Sequence, residues 1–161
     1  MTVSFRSPSR RRAAALLSAL FLLCSVPSFG TKRVIPFEQL PPAVQTFVNT
    51  HYAGIKVQEV TLERRGSLTQ YELNLKGGHA LQFSRKGHLT EASCKKGPVP
   101  DGVVPAAILQ QVRKRYPGQQ VSVVNHDYRL WEIDLAPSGI ELTFTPSFRL
   151  VDIEKPEEEE E

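Results

Sequence analysis

The chain states one fifteen-residue phrase twice: LPPAVQTFVNTHYAG at 40–54 and VPAAILQQVRKRYPG at 104–118 share the order of their apolar, Pro, Tyr and Gly positions. A duplicated unit constrains architecture before local propensity does, because each copy must solve the same burial problem in the same way. Aligning the phrases places Leu40 on Val104, Pro41 on Pro105, Val44 on Ile108, Val48 on Val112, Tyr52 on Tyr116, Gly54 on Gly118 and Val57 on Val121. After some drift in the loops the copies realign, Tyr71, Leu73 and Leu75 with Trp131, Ile133 and Leu135, then Leu81 and Phe83 with Leu142 and Phe144.

Each phrase predicts a helix. Pro41 and Pro105 suit a first helical turn, where the missing N–H is no loss. Leu40, Val44, Phe47, Val48 and Tyr52 then recur at helical spacing, as do Val104, Ile108, Val112 and Tyr116, and Gly54 and Gly118 stop them. A helix of about three turns is marginal alone, so its apolar stripe needs a sheet to cover. Alternation at period two provides one, with Tyr71, Leu73 and Leu75 on one face and Glu72 and Asn74 on the other.

Residues opposite each other in a hairpin share a face. Leu73 therefore pairs with Leu81 and Tyr71 with Phe83, leaving Lys76, Gly77 and Gly78 as the loop; Ile133 pairs with Leu142 and Trp131 with Phe144, leaving 136–139. Further turns at Arg85, Lys86, Gly87 and at Pro146, Ser147, Phe148 lead to a last strand in each copy, whose register the sequence leaves open. The expected fold class is α+β: a tandem repeat of a helix plus a four-stranded antiparallel meander, at 40–94 and 104–154, with the helices packed on one face of the sheet. One half, of about 55 residues, would bury too little by itself. Residues 31–39 and the Pro- and Gly-rich 95–103 read as linkers.

Ahead of the repeats, Arg6, Arg10, Arg11 and Arg12 precede the apolar run AAALLSALFLLCSV at 13–26. That run is shorter than the about 20 residues a spanning helix needs, and Ser28 and Gly30 are small residues of the kind a signal peptidase accepts. Residues 1–30 are expected to be an export signal cleaved near Gly30, sending the remainder to the periplasm or outside the cell with no membrane span of its own. Leu23 stands where a lipoprotein signal would place a small residue, which disfavours lipidation at Cys24. The segment holds four of the 20 Lys and Arg and none of the 17 Asp and Glu, so the remainder carries about −1 where the whole chain carries +3. KPEEEEE at 155–161 buries nothing and is expected to be a disordered acidic tail.

Composition and motifs exclude several classes. No basic stripe interleaved with aromatics points to nucleic acid. There is no G-x-S-x-G, no H-E-x-x-H and no phosphate-cradling loop, so no catalytic residue and no cofactor is expected. A zinc site would want spaced Cys and His clusters; His51 and His126 lack ligand-type neighbours, and His79 replaces Ile140 of the other copy, an inward end position. Without Cys24, Cys94 has no partner in the chain: it is a buried small hydrophobe, or a free thiol open to intermolecular pairing or reaction, with His88 or His126 as a spatial base.

The 40–54 phrase, the strands YELNL and LQF, the run LTEASCKKGPVPDGVVPAAI, and the closing WEIDL, LTF and LVDIE resemble the PepSY-like, β-lactamase-inhibitor-like family of exported bacterial proteins, over residues 40–154. The resemblance implies tandem modules with one sheet face open and an inhibitor-like, protein-binding role; it implies no general biochemical activity. Pro146, Ser147 and Phe148 depart from the pattern set by Arg85, Lys86 and Gly87.

The open face is the candidate contact surface. Alternation places Glu72, Asn74, Gln82 and Ser84 on it from the first copy, and Glu132, Asp134, Glu141 and Thr143 from the second. The hairpin register sets Asp134 opposite Glu141, a like-charge pair unfavourable by some tenths of a kcal/mol. Water and salt relieve it with a Debye length of roughly 8 Å; so would a basic partner surface, or a hard cation that takes oxygen ligands, such as Ca²⁺. The expected function is an exported, non-enzymatic module that binds an unknown protein partner through this face. The alternatives are a periplasmic small-ligand or cation-binding protein using Glu132, Asp134 and Glu141, and a structural envelope module with no specific ligand.

Overall fold

A computed structural model describes residues 30–65, 67–127 and 129–156. Of the expected export signal at 1–30 all but Gly30, and of the expected acidic tail at 155–161 the glutamates 157–161, lie outside the described residues. The strands are β1 Thr31–Val34, β2 Val57–Arg65, β3 Leu68–Leu75, β4 His79–Ser84, β5 Leu89–Cys94, β6 Gln120–His126, β7 Trp131–Ala136, β8 Glu141–Phe144 and β9 Leu150–Glu154; the helices are α1 Pro42–His51 and α2 Ala106–Arg115. The strands stand side by side in chain order, each antiparallel to the next, in one nine-stranded sheet.

This corrects the α+β expectation. The chain is not a tandem pair of helix-plus-four-strand modules with helices packed on the sheet; it is mostly β, one continuous antiparallel sheet with two ten-residue helices. Two pairings make the difference. TKRV, read as a linker because its charges hide any alternation, runs along β2 from Thr31↔Arg64 to Val34↔Thr61. Strand β5 pairs with β6 through Glu91↔Asn125, Ala92↔Val124 and Ser93↔Val123, so the two meanders fuse edge to edge. Nine strands at about 4.8 Å each span roughly 40 Å, whereas a ten-residue helix is about 15 Å long. Two such helices cannot form a layer across that width.

Inside this sheet the hairpin registers are those the alternation predicts: Leu73↔Leu81 and Tyr71↔Phe83, then Ile133↔Leu142, Trp131↔Phe144 and Asp134↔Glu141. Pro41 and Pro105 act as N-caps. The Pro41 carbonyl accepts from the backbone N–H of Val44 and Gln45, and that of Pro105 from Ile108 and Leu109. Val44, Val48, Ile108 and Val112 are buried from the helices, and Leu73, Leu81, Phe83, Ile133, Leu142 and Phe144 from the strands. Phe47, Tyr71 and Trp131 are only partly buried at the margins of this core. Trp131 stacks on His126 with ring centroids 3.9 Å apart.

The last turns use the same backbone with different chemistry. Gly87 has φ 81° and its counterpart Phe148 has φ 62°, a left-handed conformation that non-glycine residues seldom adopt. Phe148 is held there from two sides: its ring lies 6.3 Å from that of Trp131, and its carbonyl accepts a 2.8 Å hydrogen bond from Gln111 Nε2 on α2.

Candidate functional site

The fusion at β5–β6 lines up the open face in rows that cross both copies. One row runs Glu72, Gln82, Glu91, Asn125, Glu132, Thr143, Asp152. The next runs Asn74, Ala80, Ser93, Val123, Asp134, Glu141, Glu154. The residues read from the sequence therefore share a face, Glu72, Gln82, Glu132 and Thr143 in the first row and Asn74, Asp134 and Glu141 in the second. Ser84 lies across from Gln70 in a third. Glu91, Asn125, Asp152 and Glu154 escaped the sequence reading. A bulge between Gln82 and Phe83 displaces Glu91 from simple hairpin counting, and another between Thr143 and Phe144 does the same for the DIE of β9.

Charge is satisfied differently in the two halves. In the first half, Lys32 Nζ donates to Glu72 Oε2 at 2.7 Å, Gln82 Nε2 to Glu91 Oε2 at 2.8 Å, and Arg65 to Glu63 Oε1 at 3.1 Å. In the second half, no Lys or Arg among the described residues pairs with Glu132, Asp134, Glu141, Asp152 or Glu154. Glu141 is the centre of this group, flanked in register by Asp134 and Glu154. Burial pushes its carboxyl above the usual range, and Asp134, Glu154, Glu132 and Asp152 add to the shift. Burial alone raises Asp134.

A cleft of about 410 Å³ opens where the short β5–β6 ladder stops, and reaches the acidic patch at Glu132. Leu68 and Leu130 give it apolar walls, with Gln70, Ser84 and Asn125 as polar groups. Such a lining accepts a long side chain with an apolar stem and a polar head.

Cys94 is 7 % exposed. The imidazole beside it is His79, its direct partner across β4–β5, with Sγ 3.8 Å from Nε2, where the expectation from sequence is His88 or His126. Among the described residues no three His, Cys, Asp or Glu side chains converge to hold a metal ion, and no helix is long and apolar enough to cross a membrane.

The family described as "Putative beta-lactamase-inhibitor-like, PepSY-like" matches residues 30–91 and 69–152. A solved "putative periplasmic protein" of Bacteroides vulgatus is similar at 33% identity and TM-score 0.73, over 77% of this chain and 97% of its own. A "putative calcium-regulated periplasmic protein" of Bacteroides thetaiotaomicron is similar at 31% identity and TM-score 0.74, over 77% and 97%. A second Bacteroides vulgatus structure, "of unknown function", shares the fold at 24% identity and TM-score 0.72, over 78% and 100%. No curated protein matches the chain.

Proposed function

The chain belongs to the PepSY-like, β-lactamase-inhibitor-like family, and on that footing we propose that it is an exported, non-enzymatic binding protein that docks a basic protein surface on the second half of its open sheet face. One observation carries this reading: Glu132, Asp134, Glu141, Asp152 and Glu154 sit on neighbouring strands with no Lys or Arg paired to them among the described residues, while Glu63, Glu72 and Glu91 in the first half each have a partner. An uncompensated carboxylate cluster disfavours the free state and is relieved by a cationic surface, so attraction to such a partner is stronger than an ion-paired face would give. The cleft beside Glu132 supplies a seat for one Lys or Arg side chain, its stem against Leu68 and Leu130. The family name and the periplasmic neighbours support the exported, inhibitor-like part of the proposal.

The test is capture from an envelope extract of the source cells, with the native chain and a Glu132→Lys, Asp134→Lys, Glu141→Lys variant as baits. A bound protein should elute with rising salt and be lost on charge reversal; retention of the same protein by the variant would refute the contact surface. The cation alternative rests on the raised carboxyls of Asp134 and Glu141, oxygen donors of the kind Ca²⁺ takes. It predicts a Ca²⁺-dependent rise in melting temperature that Glu141→Gln abolishes, and the docking reading predicts none.

A further inference from the structure

A second cluster lies on the core side of the sheet, where β4 begins and β5 ends against the close of α1. His79 and Cys94 face each other there, Nε2 to Sγ 3.8 Å. Tyr52 caps α1 and meets the His79 ring edge-on, with centroids 5.4 Å apart. Tyr52 is 2 % exposed, yet its hydroxyl has no hydrogen-bond partner, and neither has His79 Nδ1. Burial, with the nearby Cys94 sulfur adding to it, holds the Tyr52 phenol far above its ordinary range, so it stays a neutral donor. A buried hydroxyl left unpaired costs about 1–3 kcal/mol, which apolar packing would avoid. The second copy keeps the phenol as Tyr116 but has Ile140 in the place of His79 and Lys155 in that of Cys94. A thiol beside an imidazole at this spot is thus not demanded by the sheet.

We propose that Cys94 and His79 together hold one soft monovalent metal ion, of the Cu(I) and Ag(I) class, with the Tyr52 hydroxyl as a weaker third donor. The spacing is close to what is needed: Sγ and Nε2 lie 3.8 Å apart, and a small opening of the pair lets a two-coordinate monovalent ion sit between them in the near-linear arrangement it prefers. Thiolate sulfur and imidazole nitrogen are the donors that soft ions select. Charge selects the valence, because a thiolate and a monovalent ion sum to zero, whereas a divalent ion would leave net charge in a nearly closed site. Zinc would in addition want four ligands, and no carboxylate or further histidine joins the pair among the described residues. On binding, the S–H bond breaks, the sulfur–metal bond forms and the proton leaves to solvent. Cys94 also borders a cavity of about 500 Å³, with Ser93, Lys95 and Gly97.

The test uses the full chain with Cys24→Ser throughout, which leaves Cys94 as its one thiol. Ag(I) is titrated against thermal unfolding, and Cu(I), kept reduced with ascorbate, against a chromophoric chelator. One equivalent should bind and raise the melting temperature. Cys94→Ala should abolish binding, and His79→Ile, which copies the second repeat, should weaken it by at least the roughly 10- to 100-fold carried by outer-shell groups. Absence of binding in the parent, or equal affinity in Cys94→Ala or His79→Ile, overturns the proposal. Should either variant fail to fold by circular dichroism, histidine ring NMR of the parent decides: the first equivalent of Ag(I) must shift a single imidazole, assigned to His79, and a shift of any other or of none overturns it.

Discussion

Replacing Glu141 with Gln should stabilise the free protein. Glu141 stands between Asp134 and Glu154 on adjacent strands, and opposing β-carbons in a sheet are about 4.5–5.5 Å apart, inside the Debye length of roughly 8 Å at physiological salt. Each opposing like-charge pair is unfavourable by about 0.2–1 kcal/mol, so removing the middle charge relieves two pairs, about 0.4–2 kcal/mol. At about 2–4 °C per kcal/mol that is a rise in melting temperature of roughly 1–8 °C. Asp134→Asn relieves one of the two pairs and should give a smaller rise, and in the Glu141→Gln background its gain should shrink by the energy of that shared pair.

Calorimetry of the four proteins of this cycle at pH 7 and low salt is the assay. The sign of the pH dependence follows from the raised carboxyls. A folded state that binds protons more tightly than the unfolded state is penalised where both are ionised, and the penalty fades as pH falls through the raised folded values toward the ordinary 3.8 and 4.5 of Asp134 and Glu141. The advantage of Glu141→Gln is therefore largest at neutral pH and lost in acid, and it shrinks in 1 M NaCl. An unchanged or lower melting temperature at pH 7, or a gain indifferent to salt, would refute the reasoning.

Because the two copies share one sheet, Leu73→Ala in the first and Ile133→Ala in the second, each at a fully buried position, should each shift a single urea transition by about 2–5 kcal/mol; two separated transitions would show that the halves unfold independently. Gly87→Ala should cost about 1–2 kcal/mol, since it puts a β-carbon at φ 81° in a left-handed conformation and 3.4 Å from both Ala43 and Val44; an unchanged denaturation midpoint would count against it.

Local chemistry was legible in the sequence and long-range pairing was not. Alternation in YELNL and WEIDL sets both hairpins, because a slip of one residue would turn Leu73 or Ile133 to water. The same logic reached the Asp134–Glu141 pair. It failed at TKRV, where Thr31, Lys32, Arg33 and Val34 are all exposed on an edge strand and leave no alternating imprint. It failed again at β5–β6, a contact made across the intervening linker and α2 by only three residue pairs. Repetition was read as a sign of two modules because each copy carries a complete helix and meander; the edges of those meanders carry no side-chain signal that they will join. Asp152 and Glu154 went unread for the related reason that a bulge, rather than a side-chain pattern, sets their register. His79 was read as inward from Ile140, but its sulfur neighbour depends on the β4–β5 ladder.

Strict chain order in the sheet bears on how the molecule assembles. Each strand finds its partner in the segment just made, apart from the two longer excursions through α1, between β1 and β2, and through α2, between β5 and β6, so loop-closure entropy stays small at most steps. A chain delivered end-first, from a ribosome or an export channel, can therefore zip up strand by strand, with only the growing edge exposed to stray pairing.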